Sequence, residues 1–194
     1  GNTLYWMGEF LPARVHLESA IILYDPEHPL AFRFAGHDSE VFCLSYAAWT
    51  LWQLGYPDQA LKRGNEALAL AQALSHPDSL ALAGFFCFGV LSQYRREARA
   101  AQENAESGIA LAAEHGLTES LAYATSLRGW AMAAQGRNEE GIALIQEGLA
   151  GTRATGSELN RPYWLSLLAE ACGETGRLDD CLLYTSPSPR DRQK

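Results

Sequence analysis

Catalysis or metal binding would begin at histidine, cysteine, serine and acidic side chains, and in this chain those residues are scattered. His16, His28, His37, His76 and His115 have no second histidine or cysteine at ligand spacing, so no metal site is expected. Ser157-Glu158 and the isolated serines lack a paired histidine and aspartate, which leaves nucleophilic catalysis unsupported. There is no G-x-x-x-x-G-K-[ST] loop to cradle a phosphate. Cys43, Cys87, Cys172 and Cys181 form no C-x-x-C pair, and the first three sit inside apolar helical patterns. They read as buried thiols of a reducing cytoplasm. Arg95, Arg96 and Arg99 form the one basic cluster. It reads either as a solvated turn paired to Glu97 and Glu103 or as a contact for an acidic partner or nucleic acid. No catalytic, cofactor-binding or metal-binding residue is assigned, and the segment is not expected to be an enzyme.

The elements that would position any site must come from 194 residues that are 47% hydrophobic and 20% charged, ample material for a core and unlike a disordered or collagen-like chain. Fifteen Lys+Arg against 23 Asp+Glu give a net charge of −8, which disfavours nucleic acid and anionic membrane as partners. The longest apolar run, Leu80 to Leu91, is shorter than the roughly 18 residues that a membrane span needs.

Self-similarity organises the rest. Turn signals stand at Gly8, Gly55, Gly136 and Gly176, and Arg95-Arg96-Glu97-Ala98 supplies a fifth, with Arg96 where glycine would be. Trp49 and Trp130 lie 81 residues apart, as do Gly55 and Gly136, and Ala67–Ala83 aligns with Gly108–Ala124 at a shift of 41. Within each unit of about 40 residues, apolar residues recur at helical spacing on both sides of the turn, as at Phe42, Tyr46 and Trp49 and then Ala60, Ala67 and Leu74. Each unit is therefore a helix, a tight turn and a second helix, with Ala60, Ala67, Ala101, Gly108, Gly141 and Gly148 small enough for close approach. The fold class that follows is all-α: a right-handed superhelical array of antiparallel helix pairs, about five units within residues 1–180.

Three segments stand apart. The connector 25–39 lengthens the first interval to 47 and carries two prolines. It is either an insertion packed by Phe32 and Phe34 or a ligand or partner contact through Arg33, His37 and Asp38. The opening, which lacks a methionine, leads straight into what reads as the end of a helix at Tyr5-Trp6-Met7-Gly8, so the array is expected to be truncated there. From Cys181 the register breaks, and CLLYTSPSPRD resembles the translation of a transposase-type sequencing adapter, so 181–194 reads as a non-native tail. Without its three bases and one acid, 12 bases face 22 acids, a balance of −10.

The G-x-x-x-x-A turn, the Ala-Leu seven residues further on and the helix-turn-helix period resemble tetratricopeptide repeats, in units longer than the usual ~34 residues. Leu44-Ser45-Tyr46-Ala47-Ala48-Trp49 leading to Leu54-Gly55-Tyr56-Pro57-Asp58-Gln59-Ala60-Leu61 is similar to the C-terminal repeat region of large bacterial signalling ATPases. So are Leu127-Arg128-Gly129-Trp130-Ala131 and Arg161-Pro162-Tyr163-Trp164-Leu165. Members of that group often carry class III adenylate or guanylate cyclase and ATPase domains, none of whose catalytic residues maps here.

In such arrays the inner face of each first helix lines a concave groove. The resemblance assigns that face to Ser45, Trp49, Trp52 and Gln53, then Phe86, Gln93 and Tyr94, then Tyr123, Ser126 and Trp130, then Tyr163, Ser166 and Glu170. An aromatic, neutral-polar groove suits a protein or peptide segment, including one from the parent chain's own upstream domains. The lysine and asparagine that clamp a chaperone C-terminal carboxylate are missing from it. The expectation is a cytoplasmic, non-catalytic interaction or regulatory scaffold without cofactor, metal, nucleic acid or membrane, whose truncated ends self-associate. The competing expectation is a small-effector sensor array of a transcription-activator-type ATPase.

Overall fold

The computed structural model describes residues 1–25 and 36–176. Arg33, most of the 25–39 connector and the 181–194 tail therefore lie outside the described residues. The chain divides into two compact units, Gly1–Tyr94 and Arg95–Lys194. The first holds α1 (Asn2–Trp6), α2 (Phe10–Ile22), α3 (Ser39–Gln53), α4 (Pro57–Leu74) and α5 (Pro77–Leu80), followed by a π-helical segment (Ala81–Cys87) and α6 (Phe88–Tyr94). The second holds α7 (Ala98–His115), α8 (Thr118–Ala133), α9 (Asn138–Ala154) and α10 (Arg161–Glu174). No strand occurs among the described residues.

The turns repeat one construction. Gly8, Gly55, Gly136 and Gly176 all have φ between 72° and 86°, and Arg96 takes the same left-handed conformation at φ 60°. The next amide then reaches back five residues: Glu9 N–H donates to Leu4 O at 2.9 Å, Tyr56 to Leu51 O at 2.9 Å and Arg137 to Met132 O at 3.0 Å. This six-to-one closure satisfies carbonyls that a helix end would leave bare and reverses the chain within two residues. Pro57 and the pair Glu139-Glu140 occupy the first turn of the helix that follows, where a missing N–H costs nothing and negative charge is favoured.

Small residues set the helix spacing. Ala60, Ala67, Ala101, Gly108, Gly141 and Gly148 are all buried at the seams. Between α8 and α9 the backbones nearly touch: a Cβ on Gly129 would stand 2.6 Å from Gly141 O, and one on Gly141 would stand 2.5 Å from Gly129 O. Larger apolar groups fill the space beside the seams. Val41, Leu44, Ala67, Ala71, Leu82 and Ala83 cluster in the first unit, and Leu127, Trp130, Ile145, Trp164 and Leu168 are buried in the second.

The π-helical segment explains a numerical oddity of the period. The shift to the next unit is 41 residues up to Ala83 but 40 from Arg96 onward, so this unit carries one extra residue between the two. Ala81–Cys87 covers the start of that stretch. A π turn absorbs one added residue inside a continuous helical run without moving the flanking turns out of register.

Candidate functional site

In the second unit, the start of α7 and the C-terminal ends of α8 and α10 enclose an open cleft of about 430 Å³ lined by Arg96, Ala98, Trp130, Ala134, Glu170 and Glu174. Its chemistry converges on one carboxylate. Arg96 Nη1 forms an ion pair with Glu170 Oε1, and Trp130 Nε1–H donates to the same oxygen at 3.4 Å. The two partners differ in exposure. The Arg96 side chain is 63% exposed and that of Glu170 28%, while Trp130 is buried with its indole N–H at the cleft floor. One turn further along α10, exposed Glu174 adds a second carboxylate to the wall. The cleft thus presents two acids, an aromatic edge and an exposed arginine at its rim.

In the first unit, Trp52 stacks on Tyr94 with ring centroids 5.9 Å apart and planes at 21°. Tyr94 is raised above the ordinary tyrosine value by burial, opposed by hydrogen bonds that it accepts from Tyr5 and Gln53. Trp52 is half-buried and Gln53 exposed, so this stacked pair is a flat aromatic edge with an amide beside it. A second hollow lies between α2 and α4, where Arg63 is paired with Glu18 and with Glu66 at 2.7 Å, and Arg14 lies over the Tyr56 ring at 5.2 Å.

A tetratricopeptide repeat model matches residues 41–62 and 122–147, the spans that run from α3 into α4 and from α8 into α9. A crystal structure of the Podosopora anserina putative kinesin light chain nearly identical TPR-like repeats superposes with a TM-score of 0.58 at 17% identity, covering 95% of this chain and 87% of that one. A point-substituted form of the same repeats gives 0.60 at 16% identity with the same coverage. The fold is a tetratricopeptide-like helical array. No curated protein matches the sequence.

On this tetratricopeptide-like frame the expected groove residues separate into two sets. Ser45, Trp49, Gln93, Tyr123 and Ser126 are buried, which corrects their placement on an open face, while Trp130, also buried, still lines the cleft. Ser45 Oγ donates to Val41 O at 2.8 Å and Ser126 Oγ to Ala122 O at 3.1 Å, so both hydroxyls close on their own helix. Trp49 Nε1–H donates to Cys87 O at 3.4 Å, and its ring meets Phe86 edge-on at 4.7 Å. Tyr123 OH donates to Glu119 Oε1 at 2.6 Å and accepts from Asn160 Nδ2 at 3.0 Å, while its ring stacks on Trp164. These side chains form the wall under the face. What reaches solvent is Trp52, Gln53, Phe86, Tyr94, Tyr163, Ser166 and Glu170.

Asp38 is likewise corrected from connector contact to structural cap. It is fully buried, accepts from Glu40 N–H and Val41 N–H at 3.0 Å to start α3, and accepts a hydrogen bond from the Tyr24 hydroxyl at 2.6 Å. His37 stacks on Phe42 at 6.4 Å. His76 caps α5, and His115 closes α7. Arg95 pairs with Glu97 at 2.6 Å and Arg99 with Glu103 at 3.2 Å, but Arg96 crosses to Glu170, a partner that local spacing did not suggest. Glu174 and the Arg96–Glu170 link are what the sequence reading missed. The visible signal was arginine in a glycine position.

Among the described residues, no group of three His, Cys, Asp or Glu is placed to hold a metal, and no helix is long and apolar enough to cross a membrane. Cys43, Cys87 and Cys172 are thiols rather than disulfides.

Proposed function

We propose that this chain is a non-catalytic interaction and regulatory module, and that the second unit's cleft receives a basic side chain from a protein or peptide segment. Tetratricopeptide repeats mediate protein–protein contacts, and the observation that carries this reading is the meeting of Arg96, Trp130 and Glu170 in the cleft. Glu170 already holds one guanidinium there, which supports a partner's arginine or lysine as an occupant of the cleft. Residues 95–176 contain seven arginines against eleven glutamates, and the surplus favours a cationic partner through the wider field.

The parent is proposed to be a larger bacterial signalling ATPase or nucleotide cyclase acting in the cytoplasm, on the resemblance of the Trp49, Trp130 and Trp164 segments and the thiol state of the cysteines. Its upstream domains are candidate sources of the basic segment. The cleft volume also falls within the range of small-molecule sites, roughly 300–1,000 Å³, which favours a small effector as the second reading.

Fluorescence polarisation with a labelled Arg/Gly/Ser peptide and its Glu-for-Arg counterpart tests the partner. The basic peptide is expected to bind, with affinity falling as salt rises and lost on Glu170→Gln. Preference for the acidic peptide refutes the reading. Thermal stabilisation by a metabolite with no peptide bound favours the sensor. A long read through the native locus tests the parentage, which fails if no cyclase or ATPase motifs accompany the repeats.

A further inference from the structure

The hollow between α2 and α4 has a volume of about 470 Å³ and is lined by Arg14 and Glu18 of α2, by Gln59, Lys62 and Arg63 of α4, and by buried Leu51 of α3. Its walls are second helices of their units, whereas the expected groove residues all stand on first helices. Three cations against one carboxylate is a local reversal in a chain of net charge −8. Glu18 does not neutralise all three. It is committed to Arg63, which donates Nε–H to Glu18 Oε1 at 3.3 Å, pairs through Nη2 with Glu18 Oε2, and reaches Glu66 through Nη1 at 2.7 Å. That link ties α4 to α2. Among the described residues, no carboxylate pairs with Arg14 or Lys62, and no hydrogen bond engages either of them or the Gln59 amide. Arg14 lies over the Tyr56 ring at 5.2 Å, a contact made by the face of the guanidinium, so its N–H donors stay available in the plane.

The repeat itself does not call for these cations. Through the turn register, Gln59, Lys62 and Arg63 correspond to Ala100, Glu103 and Asn104 in α7 and to Glu140, Ala143 and Leu144 in α9. Arg14 corresponds to Leu61, Gln102 and Ile142. None of these counterparts is basic, so the same helix position folds without positive charge.

We propose that the hollow binds a phosphate monoester, its phosphate held by Arg14 and Lys62 with Gln59 donating a further hydrogen bond. Such a group carries about 1.5 to 2 negative charges at neutral pH and three strong acceptor oxygens, which two unpaired cations and an amide match in charge and in donors. A single carboxylate would leave one cation unpaired. The volume lies within the roughly 300–1,000 Å³ of small-molecule sites, leaving room for the group that carries the phosphate. This site is separate from the second unit's cleft, whose proposed partner is basic.

Isothermal titration calorimetry of the full 194-residue chain is the test, using glycerol phosphate, a phosphoserine Gly/Ser peptide and the same peptide unphosphorylated. Both phosphate esters are expected to bind, with affinity falling as salt rises, and the unphosphorylated peptide is not. Arg14→Gln and Lys62→Gln, at half-buried and exposed positions, should each weaken binding about tenfold or more with unchanged helical circular dichroism, and either serves if the other does not fold. Arg99→Gln, an exposed arginine of α7, should leave it unchanged. A phosphopeptide that binds more tightly than glycerol phosphate assigns the site to a phosphorylated partner segment; equal or weaker binding assigns it to a small phosphate ester. Absence of binding by both esters at millimolar concentration overturns the proposal, and so does undiminished binding by the folded Arg14→Gln or Lys62→Gln chain.

Discussion

Gly148→Ala is expected to destabilise the second unit even though alanine is the better helix former. Alanine gains about 1 kcal/mol over glycine in a helix interior. Here, however, the new Cβ would fall on Ser126 Oγ, 2.5 Å from Ala122 O and 2.9 Å from Ser126 N. Two of those three atoms belong to the α8 backbone, so no rotamer change relieves the contact and the helices must part by several tenths of an ångström. Overpacking of this kind costs typically 1–3 kcal/mol, and a backbone obstruction belongs at the upper end. The net loss is about 2 kcal/mol, a fall in Tm of about 4–8 °C for a chain of this size. Gly173→Ala is the matched control: it is helical, exposed and has nothing within 4 Å of the new Cβ, so its Tm should hold or rise. Adding Ser126→Ala to Gly148→Ala removes one obstruction and leaves Ala122 O, so it should recover only part of the loss. Circular-dichroism melts of the three variants decide the matter. If Gly148→Ala melts at or above the wild-type temperature, the close approach of α8 and α9 is wrong.

Three further outcomes follow from the buried polar groups. Asp38→Ala removes the α3 cap and strands the Tyr24 hydroxyl, so urea titration should show a loss of about 2 kcal/mol, while Asp38→Asn, which keeps an acceptor, should lose less. Burial raises Tyr5 and Tyr24 and pushes Tyr123 up to about 12. Stability from these phenols is full below the unfolded value of about 10 and is lost as pH rises through the folded values, so Tm should drop above about pH 10, with tyrosinate absorbance rising in step with unfolding. A Tm flat to about pH 12 contradicts that burial. Burial also pushes the Cys87 thiol up to about 12, and its Sγ–H points to Ser45 O at 3.8 Å. Mass-resolved alkylation should therefore label half-buried Cys43 before Cys87, and the reverse order would count against the packing of Trp49 over Cys87.

The pairing of helices was legible because it is written in local chemistry: a left-handed residue at a fixed interval and small residues at fixed offsets from it. Arg96 could be placed in the turn series from register alone, and its φ of 60° follows from that place. The groove was harder to read. Trp49 and Trp130 hold the same register position as one another, yet register says only which residues share a helix face. Whether that face meets solvent depends on the helix packed across it, and here Phe86 closes over Trp49 and Glu170 over Trp130. The π-helical segment was hidden for a related reason. One extra residue in a 41-residue interval reads equally as a longer loop, and only backbone hydrogen bonding assigns it to Ala81–Cys87.

At Arg96 the proposed recognition role and stability pull in different directions. Holding a residue other than glycine in the left-handed region costs roughly 1–2 kcal/mol, and an exposed ion pair such as Arg96–Glu170 returns about 0–1 kcal/mol. On stability alone glycine is the better residue, as Gly8, Gly55, Gly136 and Gly176 have it. On the proposed function, the arginine is an internal occupant of the cleft, resting on the carboxylate that a basic partner would claim. Arg96→Gly should raise Tm or leave it unchanged, and by removing the internal competitor it should tighten binding of the basic peptide by up to about fivefold. A lower Tm would make Arg96 a structural clamp. An unchanged peptide affinity would remove Glu170 from the recognition surface, and with it the reading of the cleft.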